Sequence, residues 1–314
     1  ATTTGTYYVN ARAYSSQTGD YTLTVDEVPP MSERTIDGIA HFLTDEFFTR
    51  QSYNDGSGGT TTVYYSFNPT GSGETPLTAG QEVLARMALD AWASVADINF
   101  VEGAGDIVFR SNSSGAFNSS TRSGSLILSS DLNVSTTWNG GNTNVDSYTY
   151  QTFLHEIGHA LGLGHAGPYN GSATYGIDNV YLNDSWAYTL MSYMSQNDGA
   201  YFGDFRYVLG PQISDILAIQ DLYGANTSTR GGNTVYGFNS TETDVHDFSQ
   251  FGRAPSLSIY DTGGIDTLDF SGYSSAQRID LNAEAFSDVD NIRGVVSISR
   301  GSIIENAIGG SGVD

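Results

Sequence analysis

The sequence predicts an α+β fold in which a part mixing helices with a twisted sheet is followed by a β-rich part. Between residues 31 and 226, apolar residues at helical spacing alternate with short β-branched strands. Beyond Gly224 the helical period stops, and short β segments follow, punctuated by Gly, Asp and Asn. The 37 glycines and 20 tyrosines among 314 residues, with many Thr and Ser, also favour strands and tight turns over a helical bundle. The chain divides accordingly into residues 1–30, 31–226 and 227–314.

Residues Tyr7 to Tyr14 and Asp20 to Val25 alternate polar and apolar side chains about a Gly19-Asp20 turn, which predicts a hairpin before the break at Pro29 and Pro30. Ile36, Ile39, Ala40, Leu43 and Phe47 predict a helix from Thr35 to about Thr49, and Asn54 to Gly59 reads as a loop. Thr61 to Phe67 is a β-branched and aromatic strand. The stripe Leu84, Met87, Ala88, Ala91, Trp92 and Val95 predicts a helix from Ala79 to Ala96, with strands after it at Ile98 to Val101 and Ile107 to Arg110. A polar connection leads to a short strand at Ser125, Leu126, Ile127 and Leu128, read as the edge on which an extended peptide would pair. Gln151 to Leu163 and Ser214 to Tyr223 are the remaining helices, separated by a long loop rich in Gly, Asn and Tyr.

The formal net charge is -23, and all twelve basic residues are arginines. Such a surface repels phosphate and anionic lipid, which argues against nucleic-acid partners, and it suits Ca²⁺ with its preference for carboxylate and carbonyl oxygens. There is no cysteine, so a transition metal must be held by His, Asp, Glu or Tyr. No apolar run approaches spanning length, so membrane insertion is not expected. Ala1 opens a polar, Thr-rich stretch without a signal peptide, so the chain reads as a processed product.

His155 and His159 lie four residues apart in H-E-x-x-H, on one face of a predicted helix and within reach of one cation. Gly162 and His165 complete H-E-x-x-H-x-x-G-x-x-H without a mismatch. A straight helix would carry His165 roughly 9 Å along the axis from His159, too far for a metal bond of about 2.0–2.1 Å. The chain must turn between them, and Gly162 can take the positive φ that such a turn needs. Three imidazoles leave an open coordination position for a water on one catalytic Zn²⁺, and Glu156 points off the ligand face as acid and base in turn. His41 and His246 carry no such pattern and are expected to be structural or surface residues.

These motifs resemble the metzincin metallopeptidases and, among them, the serralysins. Leu190-Met191-Ser-Tyr193 looks like the tight turn that places a methionine beneath the zinc. By resemblance Met191 is that methionine, and Tyr193 is an additional, displaceable zinc ligand that stabilises the oxyanion. Ala91 to Phe100 and Ile216 to Asn226 are similar to serralysin segments as well, so the likeness runs from about Thr61 to Asp314. One departure follows the third ligand, where Ala166-Gly167-Pro168-Tyr169 replaces the more usual Pro-Gly-Asp-Tyr.

The resemblance implies a zincin-like catalytic domain over residues 31–226 and the start of a calcium-binding β-roll or β-sandwich domain over 227–314. It places several structural Ca²⁺ ions there. One site takes carbonyls of Arg230, Gly232, Thr234 and Gly263 with the carboxylates of Asp261 and Asp266, and a neighbour takes Gly264, Asp266, Ile303 and Glu305. Gly309-Gly-x-Gly-x-Asp314 opens an RTX nonapeptide, in which the chain ends, so a truncation is expected. Residues 1–30 resemble the last strands of a pre-peptidase C-terminal type domain. The implied activity is a secreted, extracellular and monomeric zinc endopeptidase acting on protein or peptide substrates, with a proteinaceous inhibitor as a further partner. Two other readings are open: a processing protease for one target, and a calcium-dependent adhesion module whose metal site is not catalytic.

Overall fold

Four parallel strands and one polar antiparallel strand make the sheet that carries the site. They are β1 (Thr61–Ser66), β2 (Ile98–Glu102), β3 (Ile107–Arg110), β4 (Ala116–Ser123) and β5 (Leu126–Val134), in the order β2-β1-β3-β5-β4, with β4 antiparallel to β5. This is a computed structural model, and it describes residues 31–199 and 203–312. The hairpin expected between Tyr7 and Val25, the remnant domain expected over 1–30, and the last two residues of the expected RTX hexapeptide lie outside the described residues.

Ser125 to Leu128 do not form the sheet edge that the sequence predicts. Ser123 pairs with Leu126 and Arg122 with Ile127 on one side. On the other, the Ser52 N–H donates to the Ser125 carbonyl (3.0 Å) and the Ile127 N–H to that of Ser52 (2.8 Å). The edge belongs to β4, which the sequence reads only as a connection. Its run Ala-Phe-Asn-Ser-Ser-Thr-Arg-Ser buries little, so it has no apolar alternation to betray it.

Two helices cross near the sheet. α2 (Ala79–Val95) starts at a capping box, the Gln81 N–H donating to Thr78 Oγ1 and the Thr78 N–H to Gln81 Oε1, and it buries Leu84, Ala88, Trp92 and Val95 as the stripe predicts. α3 (Tyr148–Ala160) begins three residues earlier than expected because Ser147 caps it, accepting from the Tyr150 N–H. The Trp92 indole N–H donates to the Leu154 carbonyl at 3.0 Å and locks the two helices together. α4 (Ile213–Tyr223) lies where the sequence puts it.

The helix predicted over Thr35 to Thr49 is shorter. α1 (Ile36–His41) widens into a π-turn over Phe42–Glu46, closed by Phe47 N–H donating to the Phe42 carbonyl at 3.2 Å. Thr44 Oγ1 donates to the Asp45 carboxylate at 2.6 Å and lies 3.2 Å from the Ala40 carbonyl oxygen. The wide turn brings the Phe47 and Phe48 rings to 4.9 and 6.4 Å from the rings of His165 and His159.

Beyond α4 the chain forms two three-stranded sheets. β6 (Val235–Gly237), β8 (Thr267–Asp269) and β11 (Asn306–Ile308) are parallel in the order β11-β8-β6. β7 (Leu257–Ile259), β9 (Phe286–Val289) and β10 (Ile292–Ile298) take the order β7-β10-β9. Residues from Ser32 onward form one unit, and a single core runs from Ile39 to Ile304. Arg300 clamps Asp37 of α1 with bonds of 2.6 and 2.7 Å, tying the start of that unit to the loop before β11. The whole is α+β, as the sequence predicts.

Candidate metal centre

His155 and His159 lie one turn apart on α3, and the backbone then reverses. Gly162 has φ +112, and a Cβ there would stand 2.2 Å from the Gln51 carbonyl oxygen, so both backbone angle and close approach require glycine. The turn delivers His165 to the other two. Its Nε2 is 3.3 Å from that of His155 and 2.9 Å from that of His159, and one ring nitrogen from each of the three lies within 4.8 Å of the others. Tetrahedral ligands at about 2.0–2.1 Å from one ion stand about 3.3 Å apart, so the spacing fits a cation of that size.

The donor chemistry fits too. His155 Nδ1 lies 2.9 Å from the Leu190 carbonyl oxygen and His159 Nδ1 2.8 Å from that of Leu163. A carbonyl only accepts, so each Nδ1 carries the proton and each Nε2 presents a lone pair to the centre. Burial pushes His155 down to about 4 and, with repulsion from His155, His165 down to about 3; His159 is driven well below the usual imidazole range by the same burial. Two fixed lone pairs and a third imidazole nitrogen crowded together, in rings that burial keeps neutral, suit a cation. Among the described residues this is the one His, Cys, Asp and Glu group so arranged.

Glu156 is buried beside the ligands, and burial pushes its carboxyl up to about 8 against an opposing bond from the Asn118 backbone on β4. Its Oε2 has no hydrogen-bond partner among the described residues. Met191 is fully buried below α3, where a Cβ on Gly158 would meet its sulfur at 2.7 Å. The Tyr193 ring lies 4.5 Å from that of His165, and its hydroxyl accepts from the Gly171 N–H at 3.4 Å, leaving its own proton free. Burial raises the phenol above its ordinary value, so it is neutral near pH 7.

Cavities flank Glu156 on both sides. One of about 390 Å³ runs past Trp138, Tyr148, Thr152 and Trp186, and one of about 400 Å³ past Phe47, Phe48, Gln51 and β4. Together they make a cleft with the outer edge of β4 along it.

Two buried carboxylates carry no local sequence signal and escape the sequence reading. Asp215 accepts from Thr189 Oγ1 (2.5 Å) and from the N–H groups of Leu190 and Gln212 (2.8 Å each), so it holds the turn whose Leu190 carbonyl orients His155. Burial still pushes it up to about 7. Asp184 accepts from Ser192 Oγ and from the Tyr169 hydroxyl.

The residues expected to hold calcium meet in part. A Cβ on Gly264 would stand 2.4 Å from the Gly232 carbonyl oxygen and 2.9 Å from Asp266 Oδ1, so these groups converge. Thr234 N–H donates to Asp266 Oδ1 (2.7 Å), Gly263 N–H to Asp261 (2.7 Å) and Asp266 N–H to Glu305 (2.7 Å). Asp266 Oδ2 is buried without a hydrogen-bond partner among the described residues, and burial with repulsion from Asp261 and Glu305 raises its carboxyl. The Arg230 side chain turns to Glu242 and Asp244, and the Ile303 side chain is 71% exposed, which leaves only their backbone oxygens for an ion.

Residues 225–314 match the family model described as Peptidase M10 serralysin C terminal, and residues 110–218 the one described as Metallo-peptidase family M12B Reprolysin-like. The chain is 41% identical to Serralysin B of Dickeya chrysanthemi over 80% of this chain and 56% of that protein. It is 44% identical to Serralysin of Photorhabdus luminescens (74% and 51%) and 42% identical to Metalloprotease AprA of Pseudomonas entomophila (strain L48) (74% and 52%). It spans about half the length of these curated relatives. With a metzincin-like catalytic domain followed by a serralysin C-terminal β-rich domain, the chain belongs to the serralysin family.

Proposed function

We propose that the chain is a secreted zinc endopeptidase that hydrolyses peptide bonds in proteins. The observation that carries this reading is the convergence of three imidazole Nε2 atoms, two of them turned by backbone carbonyls to present a lone pair, beside a buried carboxylate with an unshared oxygen. Zn²⁺ at His155, His159 and His165 would supply Lewis-acid activation of an attacking water and of the scissile carbonyl. The protein's own groups do the rest. Glu156 takes a proton from that water and returns it to the departing amide nitrogen, through an Oε2 that has no hydrogen-bond partner among the described residues. Tyr193, neutral and with its O–H free, donates to the developing oxyanion. An extended substrate pairs with the outer edge of β4.

The same reading assigns residues 31–226 to catalysis and 227–314 to several structural Ca²⁺ ions. Their ligands are Arg230, Gly232, Thr234, Gly263, Asp261 and Asp266 at one site, and Gly264, Asp266, Ile303 and Glu305 at the next. The protein acts outside the cell as a monomer, a proteinaceous inhibitor can fill the cleft, and no described helix is long and apolar enough to cross a membrane. Casein digestion with and without a zinc chelator tests the proposal. Cleavage that stops on chelation and returns with added Zn²⁺ supports it, while binding without cleavage favours an adhesion module with an idle metal site.

A further inference from the structure

Asp184 is fully buried, yet no cation among the described residues pairs with it. Its partners are two hydroxyls: Tyr169 donates to both carboxylate oxygens at 3.0 and 3.1 Å, and Ser192 Oγ donates to Oδ1 at 2.6 Å. A buried carboxylate without a counter-charge is expensive, and packing alone would be served better by an apolar residue. Burial accordingly pushes its carboxyl up to about 6, against the two donors.

The place of those partners is informative. Tyr169 lies four residues after His165, and Ser192 immediately precedes Tyr193. The carboxylate therefore fastens the segment carrying the third imidazole to the segment carrying the cleft tyrosine. The Tyr169 ring backs that of Tyr193 at 5.0 Å and lies 5.8 Å from that of His165, while its hydroxyl oxygen accepts from the Tyr193 N–H at 3.4 Å. Ser192 Oγ accepts from the Met194 N–H at 2.9 Å, which leaves its proton for Asp184. The Trp186 indole N–H holds the Ser192 carbonyl at 2.7 Å. The Tyr193 hydroxyl itself is held, among the described residues, by the Gly171 N–H at 3.4 Å. Its position is set from behind.

We infer that Asp184 is a positioning residue for Tyr193, acting through the Tyr169 hydroxyl and Ser192. The inference rests on the zinc-peptidase reading, in which Tyr193 faces the reacting carbonyl. With the network cut, the ring is free to leave that position, and turnover falls without a matching change in substrate binding.

A double-mutant cycle on the full, zinc-loaded chain tests this. Tyr169→Phe and Asp184→Asn should each lower kcat about tenfold with KM within about twofold, and should cost less than about twofold when Tyr193 is already Phe. Tyr169→Phe keeps the ring and serves if Asp184→Asn does not fold. A second readout needs no turnover: as the resemblance also makes Tyr193 a displaceable ligand, Cu²⁺ loaded in place of Zn²⁺ is expected to give a visible phenolate-to-copper absorption that is lost in Tyr193→Phe, and this band should shift or weaken in both variants. Full multiplicative losses in the Tyr193→Phe background, or variants that only melt earlier at unchanged kcat, overturn the inference, and so does an unaltered copper band. A wild type with the band but no peptide cleavage would sink the peptidase reading and leave the band to decide the inference. A wild type with neither sinks both.

Discussion

At the imidazole triad three ring nitrogens meet, whereas around Asp261, Asp266 and Glu305 carboxylates, a backbone carbonyl and backbone N–H groups converge, with no imidazole among the described residues there. Neutral ligands leave a divalent cation its full charge to act on a substrate, while a ring of carboxylates cancels that charge and makes an ion useful mainly as a staple. The supports differ as well. The triad is held by distant segments, through the Leu190 carbonyl, the Asp215 carboxylate and the Gln51 backbone behind Gly162. The acidic loops also come from separate segments, but backbone N–H groups tie them to one another, from Thr234 to Asp266 and from Asp266 to Glu305.

The largest effect should come from removing a triad ligand. His165→Ala is expected to abolish stoichiometric zinc and all peptide hydrolysis while leaving calcium-dependent melting intact, checked by metal analysis and thermal scans with and without Ca²⁺. Coupled loss of both metals would erase the distinction between the two regions. Next, Glu156→Gln should keep zinc and lose about 10²–10⁴-fold in kcat, the usual worth of general acid–base catalysis. A variant within tenfold of wild type would remove Glu156 from the chemistry.

Acidification should act on the imidazoles and on Asp266 with opposite sign. In the metal-free protein burial holds His155 near about 4 and His165 near about 3, while an unfolded imidazole titrates near about 6.5. As the pH falls from about 6.5 toward 4, the unfolded chain binds protons that the folded one refuses, so the triad's contribution to stability declines across that window. Asp266 works the other way. Its folded carboxyl is raised above the unfolded value, so its contribution is kept at low pH and lost as the pH rises. Urea melts of metal-free wild type and His155→Ala at pH 7 and pH 5 check the first half, because the variant should lose less on acidification. An equal loss would contradict it.

Smaller effects follow. Gly162→Ala should cost about 1–3 kcal/mol in thermal or urea melts through its positive φ, and weaken zinc binding as His165 shifts. Withdrawal of Ca²⁺ should lower stability by about 3 kcal/mol if the ion is normally present at a hundred times its Kd, and Asp266→Asn should mimic that loss without touching zinc.

What could be read in the sequence follows the same division. The triad is legible because its ligands lie within eleven residues and Gly162 marks the turn, and α2 and α4 because their buried stripes are long. β4 is not, because an edge strand along a cleft gains little from apolar residues, and apolar content points instead to Ser125–Leu128. The π-turn over Phe42–Glu46 leaves no mark in the apolar period, which runs on through Leu43 and Phe47 as in an ordinary helix. Asp184 and Asp215 look like ordinary surface aspartates in a chain of charge -23; only tertiary packing buries them.

The central claim is that three imidazoles converge on one cation because the chain bends at Gly162. X-ray absorption at the zinc edge of the protein loaded with one equivalent of Zn²⁺ tests it most directly. Three imidazole nitrogens at about 2.0–2.1 Å, completed by oxygen, are expected. Two or fewer imidazoles, with His165→Ala leaving the spectrum unchanged, would contradict it.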